Sequence, residues 1–195
     1  MKPLASDRIV LREFVPSDAD DVFAYASDVE VTQWMEWPTH RARDESLAHV
    51  ESCREAYQKG LWYPLAIFLR STGRVVGSFD LRIVAAGHRV GEIGYVLAKS
   101  AWGLGLDLEA GRSVLKFGFD EIGLNRIQAI CTIENRSFVR AFEELGLTRE
   151  GTLREYRIEK GVVRDKYMYS ILRREWRKDA PVLVSHGQTA QEARA

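Results

Sequence analysis

The stretch Gly91–Leu147, GEIGYVLAKSAWGLGLDLEAGRSVLKFGFDEIGLNRIQAICTIENRSFVRAFEELGL, decides the fold. It begins inside a strand over Val90–Leu97 and passes through a turn that carries Gly103 and Gly105. An amphipathic helix follows from Asp107 to about Glu121, with Leu108, Leu115 and Phe119 on or near one face. A further strand lies in Arg126–Ile133, and its near-continuous apolar character predicts burial on both faces. Asn135 then starts a helix that stops at Gly146. Strand, glycine turn, helix has a chemical consequence. The first N–H groups of a helix are unpaired, the helix dipole adds partial positive charge, and glycine lets a phosphate come close. A glycine turn is equally a packing device, so the turn alone names no ligand.

Working outward, Arg8–Phe14 (RIVLREF) alternates as a first strand before Pro16-Ser17-Asp18 turns the chain. Asp18 or Ser17 is placed to cap a helix running to about Ser27. The next segment, Val31–Asp44, is broken by Pro38 and reads as a loop or short helical turn. Asp44–Lys59 has a helical rhythm with Gly60 as its stop. Two β-rich runs then flank Ser71-Thr72-Gly73-Arg74, a hairpin signature. Two last strands, about Leu147–Tyr156 and Val163–Leu172, join near Glu159-Lys160-Gly161. The end of the chain has no sustained periodicity, which predicts one domain over residues 1–178 and a flexible tail over 179–195.

The 195 residues suffice for one sizeable core, and 28 basic against 28 acidic residues leave no net field to draw the chain to nucleic acid or an anionic membrane. Cys53 and Cys131 have no CxxC spacing, which argues against zinc and a disulfide scaffold. No apolar run approaches the roughly 20 residues of a membrane span, and the N-terminus lacks an apolar signal core. A cytoplasmic protein is expected. His40, His49, His88 and His186 are scattered without metal-ligand spacing, and no role is assigned to them.

In residue order and spacing, Gly91–Leu147 resembles the GNAT superfamily of N-acetyltransferases, particularly its RimJ/RimL branch. Arg8–Pro38 resembles that branch's opening and Gly151–Trp176 its closing hairpin, so the likeness covers about Arg8 to Trp176. It implies an α/β (α+β) fold: a mixed, mostly antiparallel sheet of about seven strands, flanked by about four helices and splayed between Val90–Leu97 and Arg126–Ile133. It implies acetyl-CoA as acyl donor, no metal, and an amine acceptor, either a small molecule or a protein N-terminus. The pantetheine arm would lie along Tyr95, Val96 and Leu97. The pyrophosphate would meet Trp102, Gly103, Leu104, Gly105 and Leu106, with Asn135 and Arg140 completing the cofactor site.

Only a deprotonated amine attacks a thioester, so a carboxylate within reach would act as base. Glu92 matches a Glu that GNAT members often use so, although its alternation with Ile93 and Tyr95 also suits a solvated face. Tyr95 is placed to polarise the thioester oxygen. Asn135 fits the family's pantetheine contact and fits a plain helix cap equally. Trp34, Met35 and Trp37 resemble the acceptor-facing wall, or else pack the helix connection. Tyr167 and Tyr169 on the last strand suit a homodimer as well as an ordinary core.

Two positions depart from the family. Asp107 and Leu108 stand where the phosphate loop normally ends in Gly or Ala, often followed by Thr. At roughly 5 Å, a carboxylate costs a phosphate charge about 3 kcal/mol at an effective dielectric near 20. Ser137, the candidate catalytic donor of a proton to the thiolate, falls one position earlier than the family's Ser, whose place Phe138 takes, and adjacent helix positions point about 100° apart. The competing expectation is a binding or regulatory module in which Asp107 closes the phosphate site.

Overall fold

The computed structural model describes residues 2–176; residues 177–195, with the expected tail, lie outside the described residues. The strands are β1 (Leu4–Ala5), β2 (Ile9–Arg12), β3 (Trp62–Leu69), β4 (Arg74–Ala85), β5 (Val90–Leu97), β6 (Arg126–Thr132), β7 (Thr148–Glu159) and β8 (Val162–Leu172). The helices are α1 (Ala19–Ala26), α2 (Val29–Thr32), α3 (Arg43–Gln58), α4 (Leu106–Lys116) and α5 (Arg136–Glu144). One sheet runs in the order β1-β2-β3-β4-β5-β6-β8-β7. The additions to the expected seven strands and four helices are the two-residue β1, paired with β2, and the four-residue α2. Elements this short carry too few residues to show a period.

Among the described residues only β5 and β6 run parallel, and they pair over just four registers, from Val90↔Arg126 to Ile93↔Ala129. Beyond that point β5 stays with β4 as far as Gly77↔Leu97, while β6 stays with β8 as far as Thr132↔Lys166. The sheet therefore opens between Gly94–Leu97 and the end of β6, as the family likeness implied. This opening corrects the expectation that β6 is buried on both faces. Ile127, Ala129 and Cys131 are in the core, whereas Ile130 and Thr132 line a cavity.

The sheet's two faces are covered differently. Against α4 and α5 pack Phe79, Leu81, Ile93, Tyr95, Ile127 and Phe142. Against α1 and α3 pack the smaller set Ala66, Val75 and Val96 with Tyr25, Val50 and Cys53. Asp18 does not cap α1 with its side chain. Being buried, its carboxylate accepts instead from the Arg12 guanidinium at 2.7 and 2.8 Å and from the Val15 N–H at 2.9 Å, because a buried charge needs a partner. Tyr169 is fully buried and donates to Glu143 at 3.1 Å, and Tyr167 packs against the same core. Tyr169 is thus a core residue, while Tyr167 is only partly buried. Among the described residues no helix is long and apolar enough to cross a membrane.

Candidate active site

The opening of the sheet joins two cavities, one of about 300 Å³ on the α1–α3 side and one of about 330 Å³ that reaches the glycine turn. Trp34, Met35, Tyr95, Val96, Asn135 and Phe138 line both. Of the residues singled out in the sequence, Glu92 and Trp37 fall in the first cavity, and Leu97, Trp102, Gly103 and Ser137 in the second. Leu104 is exposed, Leu106 buries its side chain in the core, and Gly105 is the left-handed N-cap of α4. These three would therefore meet a ligand chiefly through backbone. Arg140 lines neither cavity and pairs with Glu144.

At the turn, Gly103 and Gly105 have φ of 72° and 70°, conformations that need glycine. No side chain caps α4. The Asp107 carboxylate instead lies beside the hydroxyl of Tyr95, close enough for the two to interact electrostatically. Burial first, then the Asp107 carboxylate, push the Tyr95 hydroxyl well above its usual range. The Tyr95 ring stacks on Phe138 at 4.2 Å and on Phe79 at 5.4 Å, so its hydroxyl is aimed by a rigid aromatic stack.

The turn has a second brace that the sequence did not disclose. Arg8 donates its backbone N–H and its Nε to Glu109 at 3.0 and 2.6 Å, and its guanidinium also reaches the Leu104 carbonyl at 2.7 Å. Burial would raise the Glu109 pKa, but the hydrogen bonds from Ser6 and Arg8 outweigh it and hold that carboxyl below its usual range. Trp102 completes the loop by donating its indole N–H to the Leu97 carbonyl at 2.9 Å.

In the first cavity, Gln128 donates to Glu92 at 2.9 Å, tying one carboxylate oxygen. Asn135 caps α5 by accepting from the Phe138 N–H at 3.3 Å. Beyond these lie residues that the sequence reading passed over. Buried Lys166 bridges Glu159 and Thr132, each at 2.5 Å, and Arg157 pairs with Glu36. Asp80 sits 3.8 Å from Arg82, whose guanidinium lies 4.5 Å over the Trp62 ring. His40 and His49 also line this cavity, with the Trp37 ring tilted 5.2 Å from that of His40. The alternation Ser78, Asp80, Arg82 in an otherwise apolar strand was the one available signal for the polar set on β4. Among the described residues no group of three or more His, Cys, Asp or Glu could hold a metal ion.

A parallel strand pair that parts beside a glycine turn and helix start is the architecture of a CoA-dependent acyltransferase. Residues 8–148 match the acetyltransferase (GNAT) domain family, so the chain belongs to that family and is an acyltransferase. The uncharacterized N-acetyltransferase p20 of Bacillus licheniformis is 31% identical over 176 residues, covering 90% of this chain and 99% of the relative. The putative ribosomal N-acetyltransferase YdaF of Bacillus subtilis is 32% identical over 104 residues, 53% of this chain and 57% of that one. A GNAT-family acetyltransferase from Bacillus anthracis superposes with a TM-score of 0.81 at 26% identity, covering 89% of this chain and 99% of that one. RimL, a ribosomal L7/L12 α-N-protein acetyltransferase solved with coenzyme A, shares the fold at a TM-score of 0.80 and 18% identity, over 88% of this chain and 98% of its own. The kinship agrees with the RimJ/RimL-like branch.

Proposed function

We propose that this protein transfers the acetyl group of acetyl-CoA to a primary amine held in the cavity on the α1–α3 side. The observation that carries the reading is the parting of β5 from β6 after Ile93↔Ala129, which joins the glycine turn to a cavity lined by carboxylates. The residues fit the donor. A Cβ at Gly103 would meet nothing within 4 Å, and no side chain caps α4 in competition with a phosphate. Asp107, the departure that most opposed an anion, has the Tyr95 hydroxyl as a neighbour. Tyr95, Val96 and Leu97 would run beside the pantetheine, and the turn from Trp102 to Leu106 would take the pyrophosphate. Acetyl-CoA supplies the activated thioester; the chain's own part is to orient it, exclude water and accept the amine's proton. Glu92 faces the acceptor cavity and is one of the carboxylates there that an amine's proton would meet. Ser137 lines the cofactor cavity, while Phe138 is committed to the stack on Tyr95.

A family relative is named as a putative ribosomal N-acetyltransferase, which makes a protein N-terminus one acceptor to test beside small amines. Acetyl-CoA at a hundred times its dissociation constant should raise the unfolding free energy by about 2.7 kcal/mol, readable as a higher melting temperature. CoA thiol should appear when a suitable amine is added. An unchanged melting temperature at millimolar acetyl-CoA would favour the binding-module reading, in which Asp107 excludes the phosphates.

A further inference from the structure

We propose that Asp80 is a catalytic residue of the acceptor cavity: its carboxylate receives the ammonium group of a primary amine with an apolar body and takes its proton. This rests on the acetyl-transfer reading above. Asp80 lies on β4 directly opposite Gly94, the first residue of β5 past the point where β6 parts from it. A side chain at Gly94 would meet nothing within 4 Å, so the space beside Asp80 opens toward the strand that would carry the thioester.

Three further observations point to an amine. The cavity is lined by four carboxylates, Glu36, Asp80, Glu92 and Glu159, against the three cations Arg82, Arg157 and Lys166. Lys166 pairs with Glu159 and Arg157 with Glu36, which leaves Arg82 with Asp80 at 3.8 Å and with Glu92 opposite it across the strands. One monocation completes the balance. Secondly, the Tyr25 hydroxyl and the Trp62 indole N–H are buried without a hydrogen-bond partner, the indole approaching Asp80 without reaching bonding geometry. Both residues line the cavity, with these atoms buried in its wall beside Asp80 as unspent hydrogen-bonding capacity. Thirdly, Trp34, Trp37, Trp62 and Met35 form apolar walls that suit a hydrocarbon body and a cation near aromatic faces.

The groups facing Asp80 are Arg82 on its own strand, Glu92 on β5, Trp62 on β3, Tyr25 on α1 and Cys53 on α3. Burial outweighs the lowering effects of Arg82 and Trp62 and pushes the Asp80 carboxyl up to about 6, where an acid is ionised at neutral pH yet basic enough to accept a proton. Glu92 differs in having one oxygen committed to Gln128. The balance is simple. One ammonium proton passes to Asp80, the amine lone pair forms the C–N bond as the C–S bond breaks, and the second proton leaves nitrogen for the departing thiolate. Asp80 then returns its proton to solvent.

Two nucleophiles test this. 2-Phenylethylamine is protonated at neutral pH and needs a base, whereas hydroxylamine is already unprotonated and does not. With Asp80→Asn, transfer to 2-phenylethylamine should fall by about 10²–10³-fold, while hydroxylamine still reacts and acetyl-CoA still raises the melting temperature. In the ligand-free protein, a carboxyl carbon signal absent from the variant should titrate near pH 6. Equal losses with both nucleophiles would make Asp80 merely structural. A nucleophile-dependent loss in Glu92→Gln but not in Asp80→Asn would transfer the role to Glu92, and a parent enzyme that uses hydroxylamine but ignores 2-phenylethylamine would overturn the acceptor class. Failure of acetyl-CoA to bind would instead strike the transfer reading, leaving the carboxyl titration to judge Asp80.

Discussion

Toward α4, β5 presents Ile93, Tyr95 and Leu97 to a buried core; toward α1 and α3 it presents Glu92 and Gly94 to a cavity and Val96 to a smaller core. The first face is aromatic and packed on α4 and α5, with Phe79, Tyr95, Phe138 and Phe142 in successive ring contacts, and opens only where Tyr95, Leu97 and Phe138 border the second cavity. The second carries carboxylates, a guanidinium and unpaired donors around open space. One strand thus has a side that resists deformation and a side that can receive a ligand. The rigid side fixes where the reactive side points, as a precise site on a scaffold requires.

The strongest way to break this division is to move β5 itself. A Cβ at Gly77 would sit 2.1 Å from the Val96 carbonyl oxygen and 3.0 Å from the Leu97 Cα. Backbone cannot give as a side-chain tip can, so Gly77→Ala should lose roughly 3 kcal/mol or more in a urea melt. Gly103→Ala is the matched control. Its φ of 72° is also unfavourable, but nothing lies within 4 Å, so a loss of about 1 kcal/mol is expected. Equal losses at the two positions would mean that strain, rather than the contact between β4 and β5, governs both.

A sharper probe addresses the link between the two cavities. If the Tyr95 hydroxyl holds the Asp107 carboxylate away from the turn, Tyr95→Phe releases that acid to compete for the α4 amides. CoA affinity should then fall severalfold. Asp107→Asn removes the charge and should raise affinity by about tenfold at low salt, less than the unscreened Coulomb cost because counterions share the site. Calorimetry of CoA binding to both variants reads the two directions. Two variants that bind like the parent would show that the acid never faced the phosphates.

The sequence carried the strands, the hairpins and the helix limits because their signals are local: period-two runs, hairpin turns at Gly73 and Gly161, and the positive-φ glycines that start and stop helices. The turn beside β5 was legible for the same reason. What escaped was long-range pairing of polar side chains. Arg8 and Glu109 meet across 101 positions, and Asp107 finds Tyr95 only when α4 folds back over β5. Asp80 was invisible for another reason. Alternation marks it as sharing a face with Ser78 and Arg82, but whether that face meets packing or a cavity depends on where β6 turns away. Asp18 shows the converse error, since a residue type that often caps helices was drawn instead to Arg12 by burial.

The smallest effect lies at the rim of the cavity. Burial lowers the pKa of His40, and burial together with the neighbouring His40 lowers that of His49. Their rings stand 6.1 Å apart, and His49 also meets the Cys53 thiol at 3.5 Å. A histidine whose folded pKa is depressed contributes stability that is complete above its unfolded value near 6.5 and is lost as the pH falls through the folded value. Asp80 acts in the opposite sense. Its raised pKa, about 6, gives stability that is present at low pH and lost as the pH rises through that value. The two slopes oppose one another below about pH 6, so on acidification the parent's melting temperature should fall less than it would without Asp80. Asp80→Asn removes one of them, and its melting temperature should drop by a few degrees as the pH falls through this range. Adding His49→Gln should flatten that drop. A steep drop that persists in the double variant would place the sensitive groups outside this cavity.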